Sequence, residues 1–469
     1  MCRRLLAEGC WPQRWKIHQI CPLFKRDSAF NAKNYRGIHL TTILSKVAEK
    51  VIGARLTKHL LAGKCGEDQW AFTPGLSARD LLTALVMSWI LMICAGDKMA
   101  GFLRDITGMF DRDCKDYLMA KLQTAGIGTT YLNFLDSYLQ PRRAQVMVEG
   151  EASDDFEIAN TVYQGTVLGP ILWNLFFADV SVPARSTGGE SFKFADDLSI
   201  FQGFKKATPN TDVFRHMHIC RNRVHTWGRL NRVAFDAAKE HLIIIHPLLG
   251  EGDDFKLLGC LFDCKITMKS AIERILVQIR PKIAAILRTR QHYDAKDLIG
   301  QFKTHVWGIM EHNNGAIFHA SRYLLEKLDS CQRSFLKKLD MNEEAVFLDF
   351  NFAPPSLRRD IGILGMLHKR VLGLAHPIFD RLLPFHCESH GASTGSHTKQ
   401  LYGHILQADF QLHLHNRSIF GMVHIYNRLP QEIIDSETVA LFQSKLTKLA
   451  RSSCKEELAW QAMFSCRSC

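Results

Sequence analysis

Between Ser191 and Phe201 apolar and polar residues alternate, and the alternation breaks at Ala195-Asp196-Asp197. Period-two patterning on both sides of so short a break is the mark of two short strands meeting at a tight turn. The two adjacent carboxylates restrict what such a turn can be. Like charges side by side repel, and a cation removes that cost. Mg²⁺ suits the place, because it prefers oxygen ligands and substrate phosphates. A third carboxylate, Asp105, stands in the expected strand Gly101 to Ile106, after the apolar run Gly101-Phe102-Leu103. Three carboxylates at adjacent strand ends suit two metal ions about 3.5–4 Å apart, the arrangement of in-line phosphoryl transfer. An Asp pair standing alone is more often a solvated turn, so its companions along the chain decide the reading.

The chain has 469 residues, of which 46% are apolar and 23% charged, a balance that builds buried cores rather than a disordered coil. Its net charge of +12 suits nucleic acid or an anionic membrane surface, and equally a basic protein with neither partner. Fourteen Cys are scattered along it, and no apolar run follows the basic start Met1-Cys2-Arg3-Arg4. That combination predicts reduced thiols in an intracellular, unsecreted protein. The apolar run Leu81 to Ala95 is shorter than the roughly 20 residues of a membrane span and predicts a buried helix, with no membrane partner.

Strand-rich sequence runs from Trp15 to Phe24, and Lys25 to Asn34 reads as a loop. Apolar residues recur at helical spacing from Leu40 to Leu61 (Ile43, Leu44, Val47, Val51, Ile52, Leu56, Leu60). Tyr117–Leu122 and Tyr131–Leu139 read as helices, and Ala144–Val148 as a strand. From Ala271 to about Leu339 the pattern is helical and basic. Its apolar stripe is Ile272, Ile275, Leu276, Ile279, Ile283, Ile286 and Leu287, and Pro281 predicts a kink. Beyond Pro354-Pro355 the pattern is less regular and rich in His. The sequence shows no internal repeat and no low-complexity tract.

Several strings then fall in one order. Phe102-Leu-Arg-Asp105-Ile-Thr-Gly-Met-Phe110-Asp111 is followed about fifty residues later by Val162-Tyr-Gln164-Gly165-Thr-Val-Leu-Gly169-Pro170-Ile-Leu-Trp-Asn174, and then by Phe194-Ala-Asp196-Asp197. Upstream stand Pro22-Leu-Phe-Lys25, Asn34-Tyr-Arg36-Gly-Ile38 and Gln69-Trp-Ala-Phe72-Thr-Pro-Gly75. Downstream stand Asn231-Arg-Val-Ala-Phe-Asp236-Ala-Ala-Lys239 and Leu257-Leu258-Gly259. In order and spacing these resemble the motifs of reverse transcriptases of non-LTR (LINE-type) retrotransposons. The resemblance covers about residues 11 to 340. It continues more weakly to Tyr426-Asn427-Arg-Leu429-Pro430-Gln-Glu432.

The resemblance implies an α+β right-hand polymerase with a small antiparallel palm sheet backed by helices. Fingers would occupy 1–100, and the palm 101–265 with finger elements interleaved at about 115–160. A helical thumb would span 266–345, followed by a mostly helical region 346–469 of open role. The implied activity is RNA-directed DNA polymerisation on a primer 3′-hydroxyl, with an RNA template, a DNA primer and dNTPs as partners. The implied cofactor is two Mg²⁺ ions, with Mn²⁺ able to replace them. Asp105, Asp196 and Asp197 match the metal-binding triad, and Ile106 offers a backbone carbonyl to a metal. Phe110 matches the aromatic gate that excludes a ribose 2′-hydroxyl by filling its volume. Gln164 and Gly165 match the motif beside the nascent base pair, and Lys25 and Arg36 match finger residues gripping the triphosphate. Lys239 stands where a general acid would protonate pyrophosphate. Arg274, Arg280, Lys282, Arg288 and Arg290 would follow the duplex phosphates. For Lys25, Arg36, Lys239 and the five thumb cations the plainer reading is solvated surface charge.

The sequence departs from the family at Met109 (usually Ala), Tyr163 (usually Pro), Asp113 (usually apolar) and Gly37 (Pro in the fuller form). None of these removes a metal ligand. They keep open a second reading, a catalytically decayed relic that only binds RNA or DNA. A group II intron maturase is a third. The full elements usually carry an endonuclease before the polymerase, which residues 1–20 cannot supply. It is expected from a missing N-terminal domain or another protein, and the site of action by resemblance is the nucleus. His386-Cys387-Glu-Ser-His390 with His397, and Cys454 with Cys466 and Cys469, have metal-like residue types but complete no zinc spacing.

Overall fold

The computed structural model describes residues 1–25, 28–104, 115–159, 162–235, 240–386, 397–404, 409–456 and 458–467. The chain divides into two units. The first joins Met1–Pro74, Phe102–Gln202 and Phe214–Glu240, and the second joins Gly75–Gly101, Gly203–Val213 and His241–Cys469. Each is thus assembled from pieces far apart in sequence.

In the first unit, strands β1 (Ile17–Phe24) and β2 (Tyr35–Leu40) pair antiparallel, from Gln19 opposite Leu40 to Phe24 opposite Tyr35. Strand β3 (Asp97–Arg104) begins in the second unit and ends in the first, and all of it beyond Asp97 is buried. Strand β4 (Arg142–Val148) lies parallel to β1, and β5 (Glu151–Ala152) and β6 (Phe156–Ile158) run antiparallel to β4. The resulting five-stranded sheet has the order β2-β1-β4-β5, with β6 also on β4, and β1–β4 is its parallel pair. Strand β7 (Glu190–Phe194) and strand β8 (Asp197–Lys205) form the hairpin expected around Ala195-Asp196, with Phe194 opposite Asp197. Strand β8 neighbours β3.

A helix over Ile43–Leu61 starts where Thr42 Oγ1 accepts the Ser45 amide, a side-chain cap. Its periodicity is helical as expected, but its buried face is not the apolar one throughout. Ile52, Leu56 and Leu60 are buried with Ser45, Ala48 and Glu49, whereas Ile43, Leu44, Val47 and Val51 stay exposed. The reason is local: Glu49 turns inward to accept amides of the loop before the helix Gly169–Phe176.

In the second unit, Ser77 caps the helix Ala78–Cys94, and eleven of its 17 residues are buried. This is the buried helix that the apolar run predicted. Among the described residues no helix is long and apolar enough to cross a membrane. After strand β9 (His241–Ile245), strands β10 (Phe255–Leu257) and β11 (Cys260–Phe262) make a hairpin. Its two turn residues, Leu258 (φ 47°) and Gly259 (φ 86°), are both left-handed, as a type I′ hairpin turn requires. Trp89 packs edge-on against Phe262 at 5.2 Å.

The helix Lys269–Arg288 buries the expected apolar stripe and runs through Pro281, which faces solvent. The segment beyond Pro354, irregular as a sequence pattern, holds two 17-residue helices, Pro355–Val371 and Val439–Lys455. In the first of them the period is blurred because polar residues are buried in pairs. Arg359 makes two 2.7 Å bonds to Asp329, and His368 bonds Tyr426 Oη at 3.0 Å and the Ser436 carbonyl at 2.9 Å.

Several histidines are buried neutral. Burial lowers His18 to about 3, and His39 and His319 to about 4. His246, His368, His397 and His415 shift the same way for the same first cause. For His415 a hydrogen bond to Asn416 partly opposes the shift. Burial also raises Asp360, to about 7, together with Glu49 and Glu343, and these acids act in the opposite sense. A histidine with a depressed folded value binds fewer protons folded than unfolded. Its contribution is whole above about 6.5 and is lost as pH falls toward the folded value, at up to about 1.4 kcal/mol per pH unit each. The histidines outnumber the acids, so the urea midpoint should fall steadily from about pH 6.5 to about pH 4.5. A flat midpoint over that window would contradict the burial of these rings.

Candidate active site

The Asp196-Asp197 turn is held by backbone clamps. Ala195 has φ 58°, a left-handed conformation that L residues other than Asn and Asp rarely adopt, at a cost of about 1–2 kcal/mol. The turn keeps it because both polar groups of Ala195 are engaged. Gln69 Oε1 accepts the Ala195 amide at 3.1 Å, Gln69 Nε2 donates to its carbonyl at 3.4 Å, and Trp173 Nε1 donates to the same carbonyl at 3.1 Å. Gln69 is itself fixed, since its Oε1 also accepts the Ala71 amide at 3.1 Å. Asp196 and Asp197 are half-buried at this tip.

The segment carrying Gln69 is pinned to β7 by backbone and charge. The Lys193 amide donates to the Asp68 carbonyl at 2.7 Å, and the Trp70 amide to the Lys193 carbonyl at 2.9 Å. Lys193 Nζ, fully buried, lies 3.0 Å from Asp68 Oδ1 and donates to the Ala178 carbonyl and to Ser181 Oγ, each at 3.0 Å. Asp68 Oδ2 accepts from Ser191 Oγ at 2.5 Å and from Ser181 Oγ. Burial lowers the Lys193 pKa, and Asp68 opposes that shift.

Gln164 and Gly165 lie against β2. The His39 amide donates to the Gln164 carbonyl at 2.8 Å. Gly165 has φ 107°, and a Cβ there would stand 2.7 Å from the His39 carbonyl oxygen. Only glycine fits so close an approach. Arg36 is three residues before His39 on β2 and is exposed; Lys25, also exposed, ends the paired strand with its amide on the Asn34 carbonyl at 2.8 Å. The structure therefore brings Lys25, Arg36, Gln164 and Gly165 onto one hairpin and the loop bonded to it.

Asp105, Ile106, Phe110 and Lys239 lie outside the described residues. Arg104, before Asp105, and Glu240, after Lys239, are described. Arg104, buried at the end of β3, is 3.3 Å from Glu240 Oε2, bonds His225 Nε2, and stands 3.8 Å over the Phe235 ring. So the residue before Asp105 and the residue after Lys239 are joined by a buried ion pair.

Arg274, Arg280, Lys282, Arg288 and Arg290 belong to the second unit and are all exposed. At about 100° per residue, Arg274 and Arg288 fall within about 40° of each other, while Lys282 and Arg280 lie about 80° and 120° to either side. They spread over the helix's solvent arc rather than along one line, and Arg290 follows the helix end. Arg274 borders a cavity of about 330 Å³ with Gly259, Gln278, His312 and Asn313.

The metal-like residues of the C-terminal region have other partners where they are described. His397 bonds the Tyr426 carbonyl at 3.1 Å, and Cys454 is buried. Residues 387–396 and Cys469 lie outside the description. Among the described residues no three His, Cys, Asp or Glu side chains form a metal-holding group, and Asp105 is not one of them.

Sequence reasoning assigns no task to Gln69 or Trp173, though both stand inside motif strings, and none to Asp68 or Lys193. The string around Gln69 is the one signal available, since its partner Ala195 is 126 residues away.

Residues 24–262 match the family described as reverse transcriptase (RNA-dependent DNA polymerase). The chain is 26% identical over 295 residues to a probable RNA-directed DNA polymerase from transposon X-element of Drosophila melanogaster, covering 58% of this chain and 32% of that protein. It is 25% identical over 297 residues to the RNA-directed DNA polymerase from mobile element jockey of the same species, covering 60% and 32%. It thus spans about a third of the length of these relatives. Among solved structures it is similar to apo telomerase from Candida tropicalis, 10% identical, covering 79% of this chain and 63% of that one, with a TM-score of 0.42. The chain belongs to the reverse transcriptase (RNA-dependent DNA polymerase) family, with the α+β fold of its polymerases, and its similarity is to the enzymes of non-LTR, LINE-type retrotransposons.

Proposed function

We propose that this chain is an RNA-directed DNA polymerase of a non-LTR retrotransposon, adding deoxynucleotides to a primer 3′-hydroxyl on an RNA template. The observation that carries the reading is the clamped turn. Two half-buried carboxylates are presented at a hairpin tip whose backbone is held by Gln69 and Trp173. The neighbouring strand, β3, ends one residue before Asp105.

Reverse transcriptases generally use divalent metal ions. The donor set fits hard cations, because carboxylate oxygens are the ligands Mg²⁺ and Mn²⁺ prefer. Asp105, Asp196 and Asp197, with the Ile106 carbonyl, would hold two Mg²⁺ ions. When bound, such ions supply activation of the 3′-hydroxyl and neutralisation of the leaving pyrophosphate. The 3′-oxygen attacks the α-phosphorus, and the bond from that phosphorus to the β-phosphate oxygen breaks. Lys25 and Arg36 grip the triphosphate, and the Gln164–Gly165 peptide supports the new base pair. Phe110 excludes a 2′-hydroxyl, and Lys239 gives a proton to the departing pyrophosphate. Arg274, Arg280, Lys282, Arg288 and Arg290 hold the duplex by its phosphates. An endonuclease would come from another part of a longer protein or from another protein, and the nucleus would be the place of action.

The test is extension of a DNA primer on an RNA template by the purified chain with dNTPs and Mg²⁺. Extension that stops on adding EDTA is expected. If the folded chain extends no primer with Mg²⁺ or Mn²⁺ yet binds RNA with a steep salt dependence, it is the decayed binding protein instead.

A further inference from the structure

Beneath the Gln164–Gly165 loop lies a buried polar stack that the reading above does not use. Arg142, 1% exposed, donates from Nη1 to His18 Nε2 at 2.7 Å and from Nη2 to the Tyr138 carbonyl at 2.9 Å. Its guanidinium also lies 4.5 Å from the Tyr163 ring centre and 4.6 Å from that of Tyr138. His18 Nδ1 is 3.0 Å from His39 Nδ1. Arginine only donates, so His18 Nε2 must accept. The His18 proton therefore sits on Nδ1 and is donated to His39 Nδ1, and His39 carries its own proton on Nε2. The protonation pattern is thus set from Arg142 outward, and it ends at the residue whose amide holds the Gln164 carbonyl and whose carbonyl Gly165 abuts. Both rings stay neutral at pH 7, since burial and the Arg142 charge lower their pKa values.

The far side of the same loop has a separate anchor. Glu49 Oε2 accepts the Val167 amide at 2.6 Å and the Leu168 amide at 3.0 Å. The loop is thus held at two points, and Arg142 reaches the first by hydrogen bonds through His18 and His39 and the second only through its charge, which favours the ionised Glu49.

We infer that Arg142 is a positioning residue for the incoming nucleotide: through His18 and His39 it fixes the Gln164–Gly165 peptide. The nucleotide part of this rests on the polymerase reading; the positioning part does not. A site held this way loses substrate affinity when its support is loosened, while groups that act on the reacting atoms are untouched.

The experiment compares the full chain with Arg142→Met, Arg142→Lys and His18→Phe. Arg142→Lys keeps a cation beneath Tyr163 but loses the two-pronged donation, so it serves if Arg142→Met does not fold. Amide hydrogen exchange is read at His39, with the Trp70 amide, bonded to the Lys193 carbonyl, as the internal reference. Single-nucleotide incorporation is read as KM for dNTP and as kcat. The expected result is His39 exchange faster by about tenfold with Trp70 unchanged, and a KM raised about tenfold with kcat within about twofold. Unchanged His39 exchange in folded Arg142→Lys and His18→Phe overturns the positioning role, and so does a kcat that falls as far as kcat/KM. If the unaltered chain extends no primer, the polymerase reading fails, and the exchange measurement alone decides whether Arg142 positions the loop.

Discussion

Replacing Asp196 and Asp197 together by Asn should lower primer extension by roughly 10⁴-fold or more, the scale on which removing a whole catalytic group acts. The same change should leave the chain as stable as before, or more so. Asn keeps the volume and hydrogen-bonding shape of Asp but removes two adjacent negative charges, which repel whenever no cation lies between them. The turn that carries them already bears a left-handed Ala195, held by Gln69 and Trp173. Strain and repulsion concentrated where a backbone is over-determined by its surroundings are the expected signature of a site kept for chemistry rather than stability. Two measurements separate these effects: primer extension with Mg²⁺, and the urea midpoint in EDTA. Extension above a tenth of the original would remove Asp196 and Asp197 from the reaction, and a midpoint that falls would show that the pair contributes to stability rather than costing it.

The hairpin itself was legible because its two flanks alternate and its turn breaks the alternation. What held the turn was not, because a side chain 126 residues away in sequence supplies the clamp. Periodicity likewise revealed the helix Ile43–Leu61 but not its buried face. The inward residues include Ser45 and Glu49, and Glu49 is buried to accept two loop amides. The stack of Arg142, His18 and His39 left no mark on the pattern at all. Each stands in a strand where a polar residue reads as solvent-facing, and burial is possible only because each satisfies the next. The same pairing of buried polar residues hid the regularity of Pro355–Val371, where Arg359 and His368 occupy inward positions. Ordered motifs therefore carried the family, while the supports beneath the motifs needed coordinates.

Among those supports the Asp68–Lys193 pair should show the largest effect on stability. Asp68→Asn leaves the Lys193 ammonium fully buried without its counter-charge, which should cost about 3–5 kcal/mol. Lys193→Met should cost less, about 1–3 kcal/mol, because Asp68 keeps two serine hydroxyls as donors and retains some exposure. The double change Asp68→Asn with Lys193→Met buries no charge and should be more stable than Asp68→Asn alone, the non-additivity expected of contacting partners. The sign of the pH response follows. Burial already lowers the Lys193 pKa and Asp68 opposes that. Without Asp68 the folded value drops further below the unfolded one, so the folded state binds fewer protons and the variant gains stability as pH rises. Its urea midpoint should therefore recover as pH rises toward the ordinary lysine value of about 10, while that of the double variant should show no such recovery. Because Asp68 adjoins Gln69, primer extension by Asp68→Asn should also fall, by about tenfold, even at denaturant-free conditions where the chain stays folded. An Asp68→Asn chain with unchanged midpoint at pH 7 would show that Lys193 is held neutral, and the clamp on the acidic turn would then rest on the backbone bonds to β7 alone.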